Sequence, residues 1–114
     1  MNQIEEITEA LVNFRNERNW EQFHNPKDLA VALSIEAAEL NELFLWKKDK
    51  EEWKDIPEEK IREELADVFA YAFLLAEKYK LDIKEIVLDK IQKNGVKYPV
   101  EKSYNSATKY NRLK

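Results

Sequence analysis

The chain has 114 residues, which is enough for one domain with a single modest hydrophobic core. Hydrophobic residues make up 44% and charged residues 37%, a balance typical of a folded protein and not of a disordered one. With one glycine, three prolines and no cysteine, the composition favours helices and excludes disulfides and thiolate metal ligands. The N-terminus has no signal-peptide pattern, and no uncharged run approaches the roughly 18 residues of a membrane span. We therefore predict an all-α protein of the cytoplasm, with no membrane partner.

The net charge of −4 is unevenly distributed along the chain. Residues 1–89 carry 12 basic and 22 acidic side chains (12 − 22 = −10), whereas residues 90–114 carry 7 basic and 1 acidic (7 − 1 = +6). An acidic body argues against a nucleic-acid polymer as partner, because binding to a phosphate backbone depends on basic surface. A basic tail beside it suits a small polyanion that carries a metal ion. A simply solvated lysine tail is the alternative.

Apolar periodicity and capping residues predict four helices. The first covers roughly residues 2–18, with one apolar stripe formed by Ile4, Ile7, Leu11, Phe14 and Arg18. Asn25-Pro26 predicts the start of the second helix, with Asp28 completing the cap, and this helix should continue to about Lys47.

The third and fourth helices follow a charged linker, Lys47–Asp55. Pro57 opens the third helix, which should reach about Lys80. Asp82 and Glu85 have the spacing of a capping box for the fourth, and Gly95 is expected to end it in a left-handed conformation. We predict one domain over 1–114, with a helical core over about 1–95 and an irregular basic tail over 96–114.

Four carboxylates lie where apolar side chains are expected. Glu36 and Glu39 interrupt the apolar stripe V-A-L-S-I-E-A-A-E-L of the second helix, and Glu64 and Asp67 interrupt that of the third. The three-residue spacing places both members of each pair on one helix face, so that all four converge if the helices pack antiparallel. At about 6 Å and an effective dielectric constant near 20, each like-charged pair costs roughly 3 kcal/mol.

The repulsion among these carboxylates could be relieved in three ways. Some of the carboxylates could be protonated, or they could pair with Lys60, Lys78 or Arg18, which lie near the edges of the stripes. The third is a hard divalent cation, Mg²⁺ or Mn²⁺, which an all-oxygen ligand set favours. A di-iron bundle would require Glu-x-x-His motifs, and the only histidine, His24, is predicted in a loop. Carboxylates with Mg²⁺ are typical of phosphoryl chemistry.

Aromatic side chains surround these positions in the sequence. They are Trp20, Phe23, His24, Trp46, Tyr71 and Tyr98, and for any single one of them a place in the core is the first interpretation. Trp46 is the preferred candidate for stacking on a nucleobase, because it lies seven residues after Glu39 on the expected continuation of the helix.

Four sequence runs together resemble the MazG-like all-α nucleotide pyrophosphohydrolases, with the dCTP pyrophosphatase branch the most similar. The runs are F-R-N-E-R-N-W-E-Q-F-H-N-P-K-D-L-A, E-A-A-E-L-N-E-L-F-L-W, E-E-L-A-D-V-F-A-Y and K-N-G-V-K-Y-P. The resemblance covers the first helix to about Tyr110. It implies an oligomeric four-helix bundle that hydrolyses a (deoxy)nucleoside triphosphate, dCTP-like or modified, to the monophosphate and pyrophosphate, as a homodimer or homotetramer with pockets shared between chains.

The resemblance also assigns roles to residues. Catalytic metal ligands for Mg²⁺ would be Glu36, Glu39, Glu64 and Asp67; the base and sugar pocket would be Trp20, Phe23, His24, Trp46 and Tyr71; the phosphates would meet Lys90, Asn94, Lys97 and Tyr98. Leu11 replaces a histidine of dCTP-cleaving relatives, and Ile35 replaces the first Glu of an E-E-x-x-E form, so the preferred base and the water-activating carboxylate stay open. The alternative function is a non-catalytic helical module for oligomerisation or nucleotide sensing.

Overall fold

The structure, a computed structural model, describes residues 1–114 and consists of helices and turns without a strand. The all-α prediction is confirmed. The chain divides into two compact units, Met1–Leu81 and Asp82–Lys114. The first contains α1 (Gln3–Glu17), a 3-10 turn (Glu21–Phe23), α2 (Pro26–Glu42), α3 (Lys50–Trp53) and α4 (Glu58–Lys78); the second contains α5 (Ile83–Lys97), α6 (Val100–Ser103) and a 3-10 turn (Tyr110–Arg112). None of the helices is long and apolar enough to cross a bilayer.

The starts of the long helices lie where the capping residues predicted them. The Asn25 side chain accepts a hydrogen bond from the Asp28 backbone N–H at 2.8 Å, and Pro26 is the first residue of α2. Asp82 accepts from the Glu85 N–H at 2.9 Å, although the reciprocal bond of a full capping box is not formed. Side-chain acceptors therefore satisfy N–H groups that have no partner within the helix.

The end of α2 was predicted wrongly. The helix ends at Glu42, before the predicted Lys47, and then tightens so that the Leu45 N–H donates to the Glu42 carbonyl at 3.1 Å. Trp46 follows with a φ of 65°. This left-handed backbone cannot continue an α-helix and costs a bulky residue roughly 1–2 kcal/mol. Periodicity does not detect such a conformation.

Gly95 does not end α5, so that prediction was also wrong. The helix continues through Gly95 to Lys97, and the glycine has no positive φ. Pro99 explains the observed end, because proline disfavours the α conformation in the residue before it, here Tyr98. The short helix α3 was not predicted; it lies inside the charged linker, where the Asp49 side chain accepts from the Glu52 N–H at 3.0 Å.

The hydrophobic core of the first unit is small and centred on α4, which packs against both α2 and α1. Its buried apolar residues are Leu29, Ile56, Leu74 and Ala76, of which Leu29 is fully buried. The predicted stripe of α1 is wrong in part: Phe14 is 51% exposed, and Ile7 and Arg18 are exposed as well. The buried residue at that end of α1 is Arg15, of which only 4% is accessible.

Candidate functional site

The second helix presents its two carboxylates as predicted. Glu36 is half-buried in the middle of the packed face of α2, and Glu39 is exposed on its flank. The neighbouring residues on that face, Ala32, Leu33 and Leu40, are half-buried too. One carboxylate of α2 is therefore held in the contact between the helices, where solvent screens its charge less than at the surface.

The carboxylates of α2 and α4 converge. Glu36, Glu64 and Asp67 each place an oxygen within 4.8 Å of the oxygens of the other two. Glu39 lies close enough to Glu36 and Glu64 for its carboxyl group to add to burial in raising the pKa of both. We call these four residues the acidic cluster. Because packing of α4 on α2 creates it, this convergence matches the prediction from the three-residue spacings.

Electrostatic repulsion in the acidic cluster is strong. Burial, followed by the nearby carboxyl of Glu39 and the charges of Asp67 and Glu64, raises the pKa of Glu36 to about 7. Burial and then the charge of Glu39 also raise the pKa of Glu64. Desolvation and like charges both disfavour an ionised carboxylate, so near neutral pH the cluster holds a proton on Glu36 part of the time when no cation is present.

No basic side chain neutralises the acidic cluster. Of the cations considered from the sequence, Lys78 pairs with Glu21 at 3.5 Å and Arg18 with Glu17 at 4.0 Å. Lys60 forms no ion pair, and none of the four cluster carboxylates has a salt-bridge partner. Salt bridges therefore do not compensate the negative charge of the acidic cluster in this fold.

The donor set fits a divalent cation. One carboxylate oxygen of Glu36 and one of Glu64 are buried without any hydrogen-bond partner. Such groups are rare in folded proteins because each one costs desolvation energy without compensation. Three converging carboxylates and a fourth beside them are the all-oxygen ligands that hard cations prefer. The acidic cluster is thus a site that could bind a divalent metal ion.

An aromatic series leads away from the acidic cluster. The ring centroids of Trp20 and His24 lie 6.4 Å apart, and those of His24 and Tyr71 lie 6.5 Å apart. Tyr71 lies one turn after Asp67 on α4, next to the cluster, and burial followed by the charges of Glu36 and Asp67 raises the pKa of its hydroxyl. Three of the predicted pocket residues are therefore brought together on one side of the carboxylates.

Two predicted pocket residues do not join this series. Phe23 is exposed, and Trp46 is 84% exposed and stacks on no other ring. The reason given for Trp46 also fails, since α2 ends before it. Their roles stay predictions.

The residues assigned to the phosphates belong to the second unit. Lys90, Asn94 and Lys97 lie on α5, and Tyr98 caps its C-terminus. The Lys97 ammonium lies 4.8 Å from the centroid of the Tyr110 ring, and the rings of Tyr98 and Tyr110 meet edge to face at 6.0 Å. The phosphate-binding roles of these residues stay predictions.

Sequence reasoning missed Arg15. Its guanidinium donates to Glu77 of α4 at 3.1 Å and lies 3.8 Å from the carboxylate of Glu21. The helical period contains a signal, since Arg15 lies one turn after Leu11 on the face that packs on α4. The spacing does not reveal the buried acidic partner, which is 62 residues away in the sequence.

Comparison with known proteins places these features in a family context. Residues 31–113 match the MazG-like family, and this segment includes the whole acidic cluster. The chain is 40% identical to dCTP pyrophosphatase 1 of Bos taurus, over 96% of this chain and 68% of that protein. It is 39% identical to dCTP pyrophosphatase 1 of Homo sapiens, over 96% and 67%. A crystal structure of a pyrophosphatase from Archaeoglobus fulgidus superposes with a TM-score of 0.81 at 37% identity, covering 87% of this chain and 94% of that one.

Proposed function

This chain belongs to the MazG-like family, and from that premise we propose that it is a Mg²⁺-dependent hydrolase of deoxynucleoside triphosphates. The reaction adds one water across the α–β anhydride and yields the nucleoside monophosphate and pyrophosphate. Relatives named dCTP pyrophosphatase support dCTP or a modified cytosine nucleotide as the first substrate to test. Its role would be the control of nucleotide pools, which we assign to the cytoplasm.

The acidic cluster is the observation that carries this proposal. Glu36, Glu64 and Asp67 converge within 4.8 Å with no compensating cation, and two of their oxygens lack any partner. With Glu39 they would hold Mg²⁺, which supplies charge neutralisation on phosphate oxygens and a more acidic water. A cluster carboxylate would then accept the proton of the attacking water, because metal coordination would make that water more acidic and would hold it beside the carboxylates.

The aromatic series is the proposed site of the base. Trp20, His24 and Tyr71 form a connected set of rings next to the carboxylates, and flat aromatic faces stack on nucleobases. Phe23 and the exposed Trp46 would complete the pocket. Lys90, Asn94, Lys97 and Tyr98 are proposed to bind the phosphates, for which two lysines and an amide are suitable donors.

We further propose that the active form is a homodimer or homotetramer. Exposed apolar residues follow one another at helical spacing on α2 and on α4, namely Val31, Ile35, Leu65 and Phe69. Such stripes are typical of surfaces covered by another subunit. A second copy of this chain would bury them. The exposed Trp46 side chain of one subunit would then enter the pocket of the other subunit.

Incubation with each of the eight common nucleoside triphosphates and Mg²⁺, followed by assay of pyrophosphate and orthophosphate, tests the proposal. We expect pyrophosphate, with a deoxynucleotide preferred. Orthophosphate as the main product would indicate a different reaction. Absence of any product would favour the non-catalytic module, for which nucleotide binding without turnover is the expected behaviour.

A further inference from the structure

Arg15 is a buried cation with two acidic partners on different segments. The side chain lies between α1 and α4, where its Nη1 donates to Oε2 of Glu77 at 3.1 Å. Its Nη2 lies 3.8 Å from Oε2 of Glu21, in the 3-10 turn that carries part of the proposed base pocket. A buried positive charge requires acidic partners to offset its loss of hydration. The N–H donors of a guanidinium lie in one plane at fixed angles, so they also fix the directions in which the partner carboxylates lie.

Each of the two acidic partners also pairs with a lysine at the C-terminal end of α4 or just beyond it. The Lys78 ammonium lies 3.5 Å from Glu21, and the Lys80 ammonium lies 2.7 Å from Glu77. Lys80 and Arg15 together lower the pKa of Glu77, which keeps it ionised. The 3-10 turn is thus joined to α4 through Glu21, with one cation from α1 and one from α4.

The backbone of Arg15 fixes the same segment a second time. The Trp20 N–H donates to the Arg15 carbonyl at 3.0 Å, and the Asn19 N–H donates to Asn16 at 3.0 Å. Asn19 has a φ of 54°, so the helix ends in a Schellman motif that turns the chain sharply toward α4. Trp20 leaves this turn in a defined direction, and His24 then lies against Tyr71.

We propose that Arg15, Glu77 and Glu21 form a clamp that holds the Trp20–His24 segment in the orientation that binds the nucleobase. Arg15 is then a positioning residue, acting through Trp20 and His24 and not on the substrate itself. This inference rests on the proposed function only in assigning a ligand to the segment. A buried ion pair adds little stability over apolar side chains of the same size, so its directionality is the property that the clamp uses.

The double variant Arg15→Met/Glu77→Met tests the clamp without leaving one charge buried and unpaired. The matched control is Lys54→Met/Glu51→Met, an exposed ion pair of similar length, 3.2 Å, between α3 and the residue that follows it. For the clamp variant we expect KM for the preferred triphosphate to rise by about tenfold with kcat within about twofold, and for the control no change in either. An unchanged KM in a folded clamp variant would overturn the proposal.

A second readout does not depend on turnover. His24 is the only histidine, so its imidazole signals in NMR spectra of the free protein are free of overlap from other histidines. We expect ring-current-shifted signals in the wild type and the control, and signals close to those of an unstructured histidine in the clamp variant. Unshifted signals in the wild type, or identical signals in wild type and clamp variant, would contradict the clamp even if the protein hydrolyses triphosphates.

The exposed member of the clamp provides a milder variant. Glu21→Gln removes the negative charge from a side chain that is mostly in solvent and keeps its size, so the fold should survive even if the double variant does not fold. We expect a rise in KM of about threefold, with kcat retained, and partial loss of the His24 ring-current shifts. A Glu21→Gln protein with wild-type KM and wild-type His24 signals would refute the role of the turn. If the wild type shows no activity but the His24 shifts still depend on Arg15 and Glu77, the proposed function fails and the clamp stands as a structural device.

Discussion

Glu36 of α2 and Asp67 of α4 lie on different helices, yet each places a carboxylate oxygen within 4.8 Å of the other. Both interrupt apolar stripes, and neither has a basic partner in the fold. The fold thus keeps like charges together without an internal cation. A bound divalent cation would remove this repulsion and make the two helices one functional site.

Removing one charge from the acidic cluster should separate stability from activity. For Glu39→Gln we expect metal-free thermal stability equal to or above that of the wild type, because the repulsion is reduced. We expect kcat/KM to fall by about a hundredfold or more, since losing roughly 3 kcal/mol of transition-state stabilisation has that effect. Glu42→Gln, an exposed carboxylate on the same helix, is the control. A Glu39→Gln protein that is much less stable and still active would instead indicate a structural role for Glu39.

The pKa of Glu36 predicts how metal-free stability depends on pH. Burial and neighbouring carboxylates raise this pKa from 4.5 to about 7 in the folded protein. Between these two values the folded state binds a proton that the unfolded state releases, so stability should fall as pH rises through this range and level off above it. Denaturant unfolding in chelator from about pH 5 to about pH 8 measures this decline. The decline should be smaller in Glu36→Gln, and an equal slope in both proteins would contradict the assignment.

Trp46 should contribute to substrate affinity and little to folding. The side chain is 84% exposed, so Trp46→Ala should change the free energy of unfolding by less than about 0.5 kcal/mol. Loss of a stacking partner should raise KM by about tenfold while kcat stays close to that of the wild type. Tyr104→Ala, another exposed aromatic substitution, should alter neither constant. A wild-type KM for Trp46→Ala would remove this residue from the pocket.

Self-association should depend on the apolar stripe of α4. Phe69 is 56% exposed, and a lysine at this position should leave the isolated chain folded but disrupt a subunit contact that buries it. Analytical ultracentrifugation should therefore detect a dimer or tetramer for the wild type and a smaller species for Phe69→Lys. The control is Ile7→Lys, which changes a comparably exposed apolar residue on α1. A monomeric wild type, or a Phe69→Lys protein of unchanged size, would contradict the proposed assembly.

Local signals in the sequence predict much of the fold and the acidic cluster. Asn25 and Asp82 each mark a helix start because capping depends only on nearby backbone groups. Glu36 and Glu64 are predicted to face inward because the helical period fixes which residues share a face, and both are half-buried. Glu39 and Asp67, also predicted to point inward, are exposed at the edge of the cluster. Neither inference requires knowledge of distant contacts.

The features that escaped prediction depend on competing or distant interactions. Gly95 is a permissive residue, but Pro99 determines where α5 ends. Trp46 adopts a left-handed backbone conformation that its residue type does not indicate. From the sequence alone, Arg15 is expected to be a polar surface residue. Only the folded structure shows that α4 places Glu77 beside it. Side-chain identity alone therefore did not reveal the clamp.

The most direct test of the central claim measures metal binding and turnover on the same samples. Isothermal titration with Mg²⁺, followed by product assay with the preferred deoxynucleoside triphosphate, should compare the wild type with Glu36→Gln/Asp67→Asn. We predict that the wild type binds Mg²⁺ and releases monophosphate and pyrophosphate, whereas the double variant remains folded and loses both properties. A folded double variant that binds Mg²⁺ as tightly as the wild type, or still releases pyrophosphate at the wild-type rate, would contradict the assignment of the acidic cluster as the catalytic metal site.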